Sequence, residues 1–160
     1  MSLISVTNIM NRKTCIFLAF LLFVSFSCKK TNSLGPSPVP YVYVYTQIDY
    51  STPLYSNLNN EGGYVYINGG NKGLLVLQDF LGNFWAFDRT CPYHVTSPCG
   101  VVRMSTSGLS IVCGSYSGQK LDTCCGTTYG FDGSVTHKPG WYPLKAYRVT
   151  VSGTVLTISN

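Results

Sequence analysis

Charged residues are scarce in this 160-residue chain, and their distribution argues against a nucleic-acid-binding surface. Only 11% of the residues are charged, with 11 basic and 6 acidic side chains. Four of the basic residues precede position 41: Arg12, Lys13, Lys29 and Lys30. Residues 41–160 therefore hold seven basic against six acidic side chains, a net charge of +1. Because that balance leaves no basic stripe to follow a phosphate backbone, we expect no nucleic-acid partner.

The sequence also lacks the residue combinations of common catalytic sites. Its only histidines are His94 and His137, and it shows no Ser-His-Asp set, paired carboxylates or phosphate-binding loop. It has no internal repeat and no stretch of helical periodicity. The sequence therefore assigns no catalytic residue, and it argues against a helical fold.

The longest apolar run lies near the N-terminus and is typical of an export signal. Arg12 and Lys13 precede the apolar residues 15–24, and small residues lead into Cys28. The run is too short to span a membrane comfortably. A cysteine at this position resembles the lipobox of bacterial lipoproteins, in which that cysteine receives the lipid. We interpret 1–28 as a lipoprotein signal peptide that anchors the protein in the cell envelope; the alternative is an uncleaved anchor or a plain secretory peptide.

The rest of the chain divides into a tether and one domain. Residues 29–40 are rich in proline and small polar residues, which favours an extended tether. Residues 41–160 are rich in Tyr, Val, Thr and Gly, and short apolar segments alternate with turn signals. This pattern predicts an all-β fold, an antiparallel β-sandwich or barrel. We predict strands at 41–48, 64–67, 74–77, 84–87, 109–112, 146–151 and 155–158, and one helical turn at 53–58.

Cysteines are concentrated in one part of this domain, between the predicted strands at 84–87 and 146–151. They are Cys91, Cys99, Cys113, Cys124 and Cys125. Export would place them in an oxidising compartment, where disulfides form and persist. Five cysteines suffice for two disulfides and one remaining thiol.

Two segments of this cysteine-rich stretch resemble the cluster-binding loops of Rieske iron–sulfur domains. Residues 88–94, Asp-Arg-Thr-Cys-Pro-Tyr-His, are similar to the first loop. Residues 124–135, which begin Cys-Cys-Gly-Thr-Thr-Tyr, and the Pro-Leu-x-x-Tyr-x-Val tail at 143–149 are similar to the second loop and its exit. The resemblance covers about residues 60–160 and suggests the Rieske-like lipoproteins of Bacteroidetes. It implies a Rieske-like fold with a small loop subdomain at about residues 88–135.

The resemblance implies a [2Fe–2S] cluster, which in this family is held by two Cys thiolates on one iron and two His imidazoles on the other. The chain departs from the family's Cys-x-His and Cys-x-x-His spacing. Cys91 keeps its place, whereas His94 is displaced by one residue. In the second loop Cys125 stands in the place of the histidine and Asp122 in the place of the cysteine. These four residues are the candidate cluster ligands, with Cys113 as an alternative to Asp122. A zinc site built from Cys91, His94 and Cys125 is a further alternative.

The resemblance also implies a disulfide, because some Rieske domains brace their loops with one. Cys99 and Cys124 fall close to the places of that pair. Cys91 and Cys125 lie where the cluster would sit, so we expect them to form a second disulfide and leave Cys113 as the thiol. Each bridge would close a loop of roughly 25–35 residues and contribute about 3–4 kcal/mol. We therefore favour a cluster-free, disulfide-braced structural or binding module with a protein or small-molecule partner, over a 2Fe–2S electron-transfer protein with an altered Cys/His ligand set.

Overall fold

The computed structural model describes residues 36–117, 120–137 and 139–160, and for 116, 117 and 120–123 it describes the backbone alone. The predicted signal segment, with Cys28, lies outside these residues. Within them, no helix has the length and apolar character that crossing a membrane requires.

Short β-strands dominate the described part of the chain, which confirms the all-β prediction. In chain order the elements are β1 (Tyr45–Asp49), the 3-10 helix η1 (Pro53–Asn59), β2 (Tyr64–Ile67), β3 (Leu74–Gln78), β4 (Phe84–Asp88), β5 (Val102–Met104), β6 (Ile111–Ser117), β7 (Lys120–Tyr129), β8 (Val135–His137), β9 (Ala146–Ser152) and β10 (Val155–Ser159).

The strands form two antiparallel sheets. The larger has the order β1-β10-β9-β4-β3-β2, and the smaller has the order β5-β6-β7-β8. The first and last strands pair with each other, with Tyr45 opposite Ser159. A short pairing of β4 with β9, Ala86 with Tyr147 and Phe87 with Ala146, joins the two halves of the larger sheet. The stretch with the candidate loops therefore leaves the larger sheet after β4 and returns to it at β9.

Strand β3 separates two hydrophobic cores. Side chains alternate across a strand, so Leu74 and Val76 face one core while Leu75 and Leu77 face the other, and all four are fully buried. The first core consists of Val44, Ile48, Leu58, Val65, Leu74, Val76, Ala86, Tyr147, Leu156 and Ile158. The second core consists of Leu75, Leu77, Phe87, Cys91, Val102, Met104, Ile111, Cys113, Tyr129 and Leu144. Two of the five domain cysteines are therefore part of the second core.

The region predicted as a small loop subdomain, about residues 88–135, holds most of the smaller sheet. Strands β5, β7 and β8 were not predicted, because their sequences lack a sustained apolar alternation. Antiparallel pairing with β6 gives β5 and β7 their strand conformation.

The end of the predicted tether packs on the domain. Val39 is only 4% exposed, and the Lys145 ammonium donates a 2.6 Å hydrogen bond to the carbonyl of Pro40. Residues 39 and 40 therefore contact the domain.

Candidate functional site

Three cysteine thiols converge at the edge of the second core. The Sγ atoms of Cys91, Cys113 and Cys125 all lie within 4.8 Å of one another. Cys91 and Cys113 are fully buried and Cys125 is half-buried. We call this group the thiol triad. Its members come from the loop after β4, from β6 and from β7, so only the folded chain brings them together.

The pairing of β6 with β7 places two members of the triad side by side. Cys113 lies between Val112 and Gly114, whose partners on β7 are Thr128 and Thr123. Four residues of β7, Cys-Cys-Gly-Thr, therefore lie opposite the single residue Cys113. Such a bulge bends its strand and redirects side chains. Here both adjacent cysteines, Cys124 and Cys125, pack against the second core.

Backbone hydrogen bonds close the base of the loop after β4, where Cys91 lies. Thr90 bridges to Val101, and the N–H of Cys91 donates to the carbonyl of Gly100 at 3.0 Å. The N–H of His94 donates to the carbonyl of Cys91 at 3.0 Å. These bonds hold both ends of the loop together, so the cysteine at its start is fixed against β5 and β6.

A buried carboxylate fixes the end of the strand that leads into this loop. Asp88 is fully buried, and its oxygens accept hydrogen bonds from the N–H groups of Asn71 (2.7 Å) and Thr90 (2.8 Å) and from the hydroxyl of Tyr147 (3.0 Å). Its neighbour Arg89 stacks 4.2 Å from the centre of a tyrosine ring on β2. Asp88 is therefore held by neutral donors, and it aligns the chain just before Cys91.

Two members of the triad differ in the pKa of their thiols. The neighbouring Cys113 thiol is the main cause that lowers the pKa of Cys91, against the opposing effect of burial. The backbone N–H of Tyr93, the hydroxyl of Tyr129 and the thiol of Cys125 add to the lowering. The same interaction with Cys91, together with burial, raises the pKa of Cys113. Of these two thiols, Cys91 therefore loses its proton at the lower pH.

A buried hydroxyl supports the third thiol. The Oγ1 atom of Thr127 accepts a 2.8 Å hydrogen bond from the N–H of Gly140 and lies 3.2 Å from the Sγ atom of Cys125. A hydroxyl has one donor and two acceptor positions. Thr127 can therefore accept a hydrogen bond from the Cys125 thiol or donate one to the Cys125 thiolate. A side chain at Gly140 would collide with Thr127, since an added Cβ would lie 2.7 Å from its Cγ2 atom.

A disulfide joins Cys99 to Cys124, the pairing that the Rieske resemblance implies. Its Cα atoms are 5.3 Å apart, and 25 positions separate the two residues in the sequence. The bridge ties the loop after β4 to β7, directly beside Cys125. It therefore holds together the two segments that supply Cys91 and Cys125.

The structure differs from the expected second disulfide. Cys91 and Cys125 are free thiols whose Sγ atoms are 3.7 Å apart, whereas bonded sulfur atoms lie about 2.05 Å apart. Cys113, expected as the one remaining thiol, is free as well, and its Sγ atom lies within 4.8 Å of theirs. Three thiols and one disulfide thus replace the expected two disulfides and one thiol.

The histidines do not join the triad. The ring of His94 packs edge-on against Tyr93, with centroids 4.9 Å apart, and His137 is exposed on β8. Among the described Cys, His, Asp and Glu side chains, the triad is the only group with ligand atoms close enough to share a metal ion. The side chain of Asp122 lies outside the described residues. A Rieske centre needs two imidazoles, and the described donors do not fit one.

Cys113 lies in the triad, whereas the sequence names it only as an alternative to Asp122, whose side chain lies outside the described residues. Counting three positions back from Cys125 leads to Asp122, but the chain between Gly114 and Thr123 is a hairpin that departs from the site and returns to it. The signal in the sequence that could have identified Cys113 as buried is its position directly after the apolar pair Ile-Val of β6.

Comparisons with known proteins concern the fold. No family model and no curated protein matches the sequence. Among solved structures, the plasma membrane Rieske protein of the cyanobacterium Synechocystis PCC 6803 is similar, with 20% sequence identity and a TM-score of 0.46. The match covers 61% of this chain and 86% of that protein.

Proposed function

We propose that the protein is a lipid-anchored module of the bacterial cell envelope, braced by a disulfide, that binds a ligand or partner and carries no Rieske cluster. The observation that supports this function is the thiol triad. It occupies the position where the resemblance implies cluster ligands, and it is built from cysteines alone.

The chemistry of the donors argues against a Rieske centre. That cluster has two thiolates on one iron and two neutral imidazoles on the other. Here three sulfur ligands converge on one point, and His94 packs against Tyr93 instead. A thiolate in place of a neutral imidazole also lowers the potential of a cluster well below that of a Rieske centre. Two of the sulfurs are fully buried in the second core.

The disulfide supports placement outside the cytoplasm. Disulfides persist in oxidising compartments and are rare in the bacterial cytosol. The Cys99–Cys124 bridge agrees with the export signal that we infer at 1–28 and with lipidation at Cys28. In this proposal the membrane is a partner through that lipid, and the tether separates the domain from the bilayer.

Iron chemistry tests the proposed function. The chain is purified from membranes in detergent, reconstituted anaerobically with iron and sulfide, and compared with a Rieske domain treated in parallel. We expect no stoichiometric iron and no rhombic paramagnetic resonance signal after dithionite reduction. Two irons per chain with such a signal would show that electron transfer is the function, with an altered Cys/His ligand set.

A further inference from the structure

We propose that the thiol triad is a binding site for one thiophilic metal ion, and that this ion is monovalent copper. The inference rests on the proposed function, because an iron–sulfur cluster at the same position would use the same sulfur atoms. It goes further by naming the ligand as Cu(I), and by assigning all three ligands to Cys91, Cys113 and Cys125.

The spacing of the sulfur atoms suits a single ion. Metal–sulfur bonds of about 2.3 Å place two sulfur ligands about 3.8 Å apart around a tetrahedral ion and about 4.0 Å apart around a trigonal one. The Sγ atoms of Cys91 and Cys125 are 3.7 Å apart, and Cys113 lies within 4.8 Å of both. A small inward movement of Cys113 is enough to equalise the three distances.

The number and type of ligands favour Cu(I) over zinc. Soft thiolate ligands select Cu(I), zinc and iron–sulfur clusters. Structural zinc sites are almost always four-coordinate, and the described Cys, His, Asp and Glu side chains bring three ligand atoms to this point. Three thiolates are a complete trigonal set for Cu(I).

The surroundings of the triad fit a buried, sulfur-bound ion. Val102, Ile111 and Met104 of the second core are at most 3% exposed and keep water away from the sulfurs. The hydroxyl of Tyr129 lies 3.8 Å from the Sγ atom of Cys91, and that of Thr127 lies 3.2 Å from the Sγ atom of Cys125. Hydroxyls that donate to metal-bound sulfur orient the ligands and spread their negative charge.

The same arrangement provides a route for the ion. Cys125 is half-buried, whereas Cys91 and Cys113 are fully buried. An incoming Cu(I) can therefore bind first to Cys125 and then to the two inner cysteines, and each thiol releases its proton to solvent as its sulfur binds the ion. The neighbouring Cys99–Cys124 disulfide holds β7 in place and takes no part as a ligand, because its sulfurs are bonded to each other.

The test is an anaerobic Cu(I) titration of the detergent-purified full chain, without added thiol, in competition with a coloured Cu(I) chelator. We expect one Cu(I) per chain. X-ray absorption at the copper edge should show that all ligands of the ion are sulfur atoms. Cys113→Ser should weaken binding by more than about 100-fold, since losing a direct ligand costs more than losing a group that only orients one. His94→Ala is the matched control and should bind Cu(I) like the wild type.

Cys125→Ser keeps the test decisive if Cys113→Ser fails to fold, because Cys125 is half-buried. Native Cu(I) affinity in either folded serine variant would overturn the proposal, as would equal losses in His94→Ala. Binding of Zn(II) in preference to Cu(I) would overturn the choice of metal. Stoichiometric iron would contradict the proposed function itself, whereas absence of both iron and copper would contradict this inference alone.

Discussion

The Sγ atom of Cys91 lies 3.7 Å from the Sγ atom of Cys125, although the two residues are 34 positions apart in the sequence. One is fixed at the base of the loop after β4, and the other lies in the bulge of β7 and packs against the second core. Cys113 on β6 completes the group. Three separate segments thus form the triad, and changes in any of them test it.

Removal of the disulfide should destabilise the domain. Cys99→Ser combined with Cys124→Ser opens a loop with a sequence separation of 25, and we expect the free energy of unfolding to fall by about 3 kcal/mol. Urea unfolding followed by circular dichroism measures the change. Reductant is the control: it should lower the stability of the wild type to that of the variant and leave the variant unchanged. A further loss in the reduced variant would show that a different disulfide stabilises the domain.

Thr127→Val should destabilise the site, although valine has nearly the same shape as threonine. The variant leaves the N–H of Gly140 without its acceptor at a buried position, which costs about 1–3 kcal/mol. Thr128→Val is the matched control, because the hydroxyl of Thr128 bonds to Thr136 at the surface, and surface changes usually stay within about 0.5 kcal/mol. Thermal unfolding of both variants measures the difference, and equal effects would contradict the role of the Thr127 hydroxyl.

Asp79 gives the domain an acid-dependent contribution to stability. Burial raises its pKa, but hydrogen bonds from Trp85, Asn83 and Leu81 outweigh that effect and lower it from 3.8 to about 2. A carboxyl group whose pKa is lower in the folded than in the unfolded state stabilises the fold at pH values above its unfolded-state pKa. The contribution is therefore complete above pH 3.8 and is lost as the pH falls towards 2. Because Asp79 is only half-buried and water screens its interactions, we expect less than about 1 kcal/mol.

The melting temperatures of the wild type and Asp79→Asn measure this effect between pH 6 and pH 2. The wild type should be the more stable above pH 3.8, and the gap should close below it. Trp85 fluorescence should change over the same range, since its indole N–H donates to Asp79. A gap that stays constant to the lowest pH would contradict the assigned role.

Cys28→Ala tests the anchor. The cysteine follows an apolar run and small residues, so we expect the wild type to fractionate with membranes and to incorporate labelled palmitate, and the variant to do neither. Cys15→Ala, in the same segment, is the control and should keep both properties. A variant that remains labelled and membrane-bound would rule out lipidation at Cys28.

The sequence predicts best the elements that depend on local patterns. The apolar segments at 74–77 and 155–158 are strands because their own residues favour them. Strand β7 is different: it is polar, contains Gly126 with a φ of +71°, and owes its conformation to pairing with β6. Local propensity carries no signal for such long-range pairing.

The sequence predicts the region of the chain that forms the candidate site better than it predicts which residues form it. The resemblance identified Cys91, Cys125 and the Cys99–Cys124 pair, since each lies within a recognisable loop. It names Cys113 only as an alternative to Asp122, because counting along the chain does not reveal the pairing of β6 with β7 that brings Cys113 close to Cys125. The position of the His94 ring depends on packing against Tyr93, which loop spacing does not reveal.

The arrangement of three thiols beside one disulfide supports both proposals, and peptide mapping tests it most directly. The full chain is purified anaerobically, unfolded without reductant in the presence of an alkylating agent, digested and analysed by mass spectrometry. We predict alkylated Cys91, Cys113 and Cys125, and a peptide that links Cys99 to Cys124. A disulfide between Cys91 and Cys125, or alkylation of Cys99 and Cys124, would contradict this arrangement.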